Sequence, residues 1–151
     1  MGGLSLSLAC GPASTVAMVE ATQSYFEGPW QMVRIIENLR DGVIGEVWGQ
    51  VEFLFDGEGL TCLESGVLRF QGVDYHTGRT SLWRFDGDRI EVQYEDGRPF
   101  HDFLTQDPIA LQIDGDARYE ITYDFDPGTW TSRWEMLGPG ADYMMTTRYR
   151  R

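Results

Sequence analysis

From Trp30 to the C-terminus the chain alternates apolar and polar residues in short segments separated by Gly-, Asp- and Pro-bearing turns. Period two is the signature of a strand with one buried and one solvated face, and Asp-Gly between such runs supplies the positive φ that tight hairpin turns need. Reading in order, the segments are Trp30 to Asn38, Gly45 to Phe55, Leu60 to Phe70, Thr80 to Phe85 and Arg89 to Tyr94. Pro99 to Thr105, Ile109 to Ile113, Arg118 to Phe125, Thr129 to Leu137 and Tyr143 to Arg150 follow. No stretch after residue 40 has helical spacing long enough for a βαβ crossover. The expected fold is therefore all-β, an up-and-down antiparallel barrel of eight to ten strands preceded by a short N-terminal helix.

Alternation also assigns faces. Ile90, Val92 and Tyr94 oppose Glu91, Gln93 and Glu95, and Tyr119, Ile121, Tyr123 and Phe125 oppose Glu120, Thr122 and Asp124. Each strand has one apolar face, which leaves no second buried face for a layer of helices. The 24 Asp and Glu against 12 Arg and no Lys, a formal charge of -12, lie largely on the polar faces and in the turns. Such an excess argues against nucleic acid as a partner, because phosphate contacts need a cationic surface, and against docking to anionic membranes.

Two regions are expected: a lead over residues 1–24 and one barrel domain over 25–151. Pro12 opens a helical pattern through Ala13, Val16, Ala17, Val19 and Glu20, and Met18 is a second plausible start. The lead lacks the positive segment and long apolar core of a secretory signal, so the expected compartment is the cytoplasm, with Cys10 and Cys62 reduced. No Cys/His cluster, nucleophile elbow, phosphate loop or calcium loop occurs in the sequence, and no metal or cofactor is expected.

Phe26-Glu27-Gly28-Pro29-Trp30 opens the first strand, and its Gly-x-Trp resembles the signature of lipocalin-type (calycin) barrels. That resemblance implies that Trp30 plugs one end of the barrel, with an Arg near the chain end, Arg148 or Arg150, packed across it. Three stretches resemble a mostly bacterial family, domain of unknown function 6314: Gly28-Pro29-Trp30 through Glu37, Leu82-Trp83-Arg84-Phe85 through Phe103, and Gly138-Pro139 with Asp142-Tyr143 through Arg150. Members often carry His and Cys before the Tyr119 strand, where this chain has Leu111-Gln112-Ile113. The resemblance implies a barrel and no activity.

Among candidate site residues, His101 is the one histidine in a recognised stretch and a proton carrier near neutral pH, or else a hydrogen-bonded structural His. His76 reads as loop surface. Period two turns Arg34 inward with Trp30, and Glu64 inward with Cys62, so the two must pair or orient a polar ligand. Tyr94, Tyr123, Tyr143 and Tyr149 fall on inner faces, suited either to filling a small barrel or to lining a cavity with apolar rings and polar tips. The leading functional reading is a barrel binding a small, largely apolar ligand, which calls for an internal space of about 300 Å³. One alternative is an enzyme using His101 as acid or base. Another is an interaction or holdase module, or a homodimer, using outward Trp48, Leu54 and Leu63.

Overall fold

A computed structural model of the chain describes residues 19–139 and 141–151. Over these residues it is an all-β, nearly closed barrel with one short helix, α1 (Gln23–Phe26). The ten strands are β1 (Gly28–Asn38), β2 (Gly42–Phe55), β3 (Leu60–Phe70), β4 (Val73–Asp86), β5 (Arg89–Tyr94), β6 (Pro99–Leu104), β7 (Ile109–Asp114), β8 (Ala117–Asp126), β9 (Thr129–Gly138) and β10 (Ala141–Arg150). The helix expected from Pro12 lies mostly outside the described residues. Val19 and Glu20 are not helical, and the helical turn comes later, at Gln23–Phe26.

All pairings are antiparallel, in the order β6-β5-β4-β3-β2-β1-β10-β9-β8-β7. Neighbours in sequence pair as hairpins, and the first and last strands join through β1–β10. The glycines of the Asp-Gly turns, Gly42, Gly57, Gly87, Gly97 and Gly115, all take φ between 61° and 94°. The break in the barrel falls between β6 and β7, which share no ladder among the described residues; the isolated bridge Leu104–Asp107 lies in the turn that joins them. Pro108 enters β7 there without an N–H, and its carbonyl accepts from Tyr123 instead.

β4 is longer than the sequence pattern suggests. It begins at Val73 rather than Thr80, because Val73-Asp-Tyr-His-Thr-Gly has no apolar stripe to mark it as strand. Pairing with β3 makes it one: Val73 to Trp83 follow Phe70 to Leu60 residue by residue. His76 therefore lies on a strand, although it is exposed. At Gly49 and Gly66 the inner faces of β2 and β3 come so close that a Cβ on Gly66 would lie 2.5 Å from the Trp48 carbonyl and 3.1 Å from the Gly49 Cα. Two paired glycines let the sheet coil sharply at that point.

One end of the barrel is closed by aromatics. Phe26 of α1 is fully buried, within 5.2 Å of the Trp83 ring and 5.4 Å of the Trp130 ring. Trp30, 2% exposed, donates its indole N–H to the Phe26 carbonyl at 2.7 Å. The guanidinium over the Trp30 ring, 4.0 Å from its centre, belongs to Arg151. It is neither Arg148 nor Arg150, which lie on the exposed outer face of β10. Strand periodicity explains the difference: Tyr149 points inward, so its two neighbours point out, and the chain must pass the strand end before it can fold over the plug. Arg151 also donates to the carbonyls of Tyr25 (2.6 Å), Glu27 (2.9 Å) and Pro29 (3.3 Å), tying α1 to β1. Gly28 has φ +105°, and a Cβ there would lie 3.2 Å from the Arg151 guanidinium. Gly-x-Trp is thus a left-handed residue that makes room for a cation above the indole.

Arg151→Ala is expected to lower stability by about 1–2 kcal/mol, the scale of a cation–π contact plus charged hydrogen bonds at a partly solvated site. Gly28→Ala should cost at least as much, while Arg148→Ala and Arg150→Ala should stay within about 0.5 kcal/mol, as exposed changes do. Urea unfolding of the four variants measures this.

Candidate functional site

The inner faces of the strands bring a belt of polar groups into an otherwise aromatic interior. Inward period two carries Arg34 on β1, Glu64 on β3 and Arg79 on β4 into one cluster. Glu64, 8% exposed, accepts from Arg34 Nη2 at 2.8 Å and faces Arg79 Nε at 3.0 Å. Arg34 Nε also donates to Thr147 Oγ1 at 2.7 Å, and Tyr149 Oη donates to Glu64 Oε1 at 3.5 Å. Burial alone would raise the Glu64 pKa, but Arg79 and Arg34 outweigh it and hold the carboxyl below its ordinary value. Burial likewise works against the Arg34 charge and is outweighed by Tyr149 and Glu64. All three side chains remain charged, and the cluster carries one more positive charge than negative.

The second group spans the β6/β7 break. His101 on β6, 5% exposed, meets Tyr123 on β8 with Nε2 and Oη 2.6 Å apart. Phe103 stacks on Tyr123 with centroids 4.2 Å apart, so two side-chain contacts hold β6 to β8 where the backbone ladder is missing. Burial, helped by Arg79, lowers the His101 pKa to about 4, and burial pushes the Tyr123 phenol well above its ordinary 10. Both are neutral near pH 7.

Between these groups lies a cavity of about 260 Å³. Its walls are mainly aromatic, including Trp83, Phe100, Trp130 and Trp134, and its polar lining includes Glu64, Arg79, His101, Tyr123, Ser132 and Tyr149. Arg79 and Tyr94, the exposed members of the lining, mark the mouth at the end away from the Trp30 plug. On the other side of Glu64 and Arg79 a second hollow of about 250 Å³ is lined by Arg34, Met32, Ile36 and Met145. Each hollow falls short of the 300 Å³ expected, because the ion cluster divides the interior. Two buried polar atoms have no partner among the described residues, His101 Nδ1 and Trp130 Nε1. Both belong to residues in the wall of the first cavity.

Of the residues singled out from the sequence, Glu64, His101, Tyr123 and Tyr149 line this cavity, and Arg34 supports it from behind. Tyr94 sits at the mouth, 40% exposed, between Phe100 (4.9 Å) and the Arg98 guanidinium (5.0 Å). Tyr143 lies further along β10, opposite Asn38 and Met136, and does not line the cavity. Arg79 is not among the residues that alternation picks out, because the apolar pattern of β4 begins only at Thr80, one residue after it. Extending the period from Trp83 and Ser81 back by two residues would have turned it inward. Ser132 shares the inward face of Trp130 and Trp134, and that signal was already in the pattern.

Cys10 lies outside the described residues, and among these Cys62 has no disulfide partner; it sits in the cavity wall, where burial pushes its pKa up to about 12 and keeps it chemically quiet. Outside the barrel, Trp48, Leu54 and Leu63 are exposed at 40–46%, with the Arg69 guanidinium 5.6 Å from the Trp48 ring. The alternation also leaves Ile109, Leu111 and Ile113 on the outer face of β7, and Gln112, between them, is half-buried. Among the described residues, no helix is long and apolar enough to cross a membrane, and no three His, Cys, Asp or Glu side chains gather where they could hold a metal.

Residues 26–151 match a family of unknown function, DUF6314. The chain belongs to this family. The match covers the whole barrel from Phe26 through Arg151, the plug and the polar belt included. No curated protein matches the chain.

His101 makes the stability pH-dependent. Its folded pKa of about 4 lies below the ordinary 6.5, so between these values the unfolded chain binds a proton that the folded chain refuses. Stability should therefore be full above pH 6.5 and fall as pH drops towards 4, by about 3 kcal/mol if the whole shift is expressed. Glu64, also lowered, adds a further loss below its ordinary 4.5. Denaturant unfolding of wild type and His101→Gln at pH 7 and pH 4.5 tests this: the variant should lose less stability over that interval.

Proposed function

We propose that the barrel binds a small, largely apolar ligand in the aromatic cavity between the Glu64 cluster and the His101–Tyr123 pair. The observation that carries this reading is an aromatic-walled space of about 260 Å³ inside the barrel, with Glu64, Arg79, His101 and Tyr123 in its lining. A packed core leaves few voids larger than a water molecule, so a space of this size within the barrel favours an occupant. The Gly28–Trp30–Arg151 plug supports a calycin-like reading, in which one end is closed and the interior receives the ligand.

Size limits the ligand. An apolar cavity of about 150 Å³ holds benzene, so this one suits a single ring with a short substituent, on the order of ten heavy atoms. A long-chain lipid does not fit the space between Arg79 and the plug. His101 and Tyr123 are both neutral near pH 7, which favours hydrogen bonding to a ligand over proton transfer as their role.

Phenylacetamide is a neutral probe of about this size. Isothermal titration of the full chain should show saturable binding, and Ser132→Leu, which fills the cavity with added carbons while the variant still melts cooperatively, should abolish it. Absence of saturable binding by phenylacetamide and by related one-ring probes, or binding that survives the filled cavity, overturns the reading.

A further inference from the structure

The charged side chains in the cavity lining are Glu64 and Arg79, and of the two Arg79 is the exposed one. Arg79 Nε lies 3.0 Å from Glu64, and among the described residues no acceptor engages its two Nη groups. Glu64 itself is taken up by Arg34, Arg79 and Tyr149.

Charge points the same way. Across a protein of formal charge -12, the interior cluster of Arg34, Glu64 and Arg79 carries a net positive charge of one. Arg34 is held at both ends and 12% exposed, whereas Arg79 is 41% exposed and lies 4.7 Å over the Trp134 ring at the cavity mouth. It is the cation a ligand can reach, and its planar fork matches a carboxylate. A single excess charge calls for a monoanion, and the aromatic walls call for a ring or a compact apolar body.

We propose that the ligand is a small monocarboxylate with an aromatic or compact apolar body, its carboxylate held by the free fork of Arg79 and its body against the aromatic walls of the cavity. This rests on the reading of the cavity as a ligand site, and the experiment separates the two.

Phenylacetate and phenylacetamide share one skeleton and differ in charge. Titrated into the full-length protein at pH 7, phenylacetate should bind at least about tenfold more tightly, a modest return for one charged hydrogen-bonded pair. In Arg79→Met, where Arg34 still neutralises Glu64, that preference should shrink to within about threefold, with phenylacetamide binding retained as proof of an intact cavity. Equal affinities in the wild-type protein overturn the carboxylate assignment and leave interior binding standing. A tenfold preference that survives Arg79→Met overturns the role of Arg79. Binding of neither compound removes the cavity reading and this inference together.

Discussion

Glu64 is the carboxylate on which the interior depends. Among the described residues it is the one acidic side chain in the buried set, and it stays ionised because two guanidinium groups, Arg34 of β1 and Arg79 of β4, close on it. Removing a charge from water costs several kcal/mol, and unpaired it would not be tolerated. Its partners join β1, β3 and β4 through side chains in addition to the ladders. They also divide the interior into two hollows, so the same interaction that stabilises the barrel sets the size of what can enter.

The rest of the architecture follows from how a ten-stranded sheet deals with its ends. Trp30, Phe26 and Arg151 close one end, with a glycine at φ +105° giving the terminal arginine its place. The sheet does not close fully at β6 and β7, and there His101, Phe103 and Tyr123 join the strands by hydrogen bond and stacking. His101, a residue of the cavity lining, keeps its Nδ1 without a partner among the described residues.

Much of this was legible in the sequence, and the parts that were not have physical reasons. Period two placed Arg34 and Glu64 on inner faces, and Asp-Gly marked the turns, because both signals are local. The first half of β4 was hidden because Val73 to Gly78 bury little and become strand only by pairing with β3. With it went Arg79, the residue that now gives the cavity its charge. The resemblance points to Arg148 or Arg150 as the cation over Trp30, whereas the inward setting of Tyr149 turns both outward and the cation is Arg151. Tyr143 shares its strand's inward parity but lies a full row beyond the cavity, which alternation alone does not reveal.

The central claim is that the aromatic cavity receives a small ligand whose carboxylate meets Arg79. The indole N–H signals of the five tryptophans in a proton–nitrogen correlation spectrum report on it directly. Trp134 lies in the cavity lining under the Arg79 guanidinium, whereas Trp30 sits in the plug, donates to Phe26 and serves as the internal reference. On saturation with phenylacetate, the Trp134 signal should move while that of Trp30 stays in place. A Trp134 signal that does not move while the ligand saturates the protein contradicts the account.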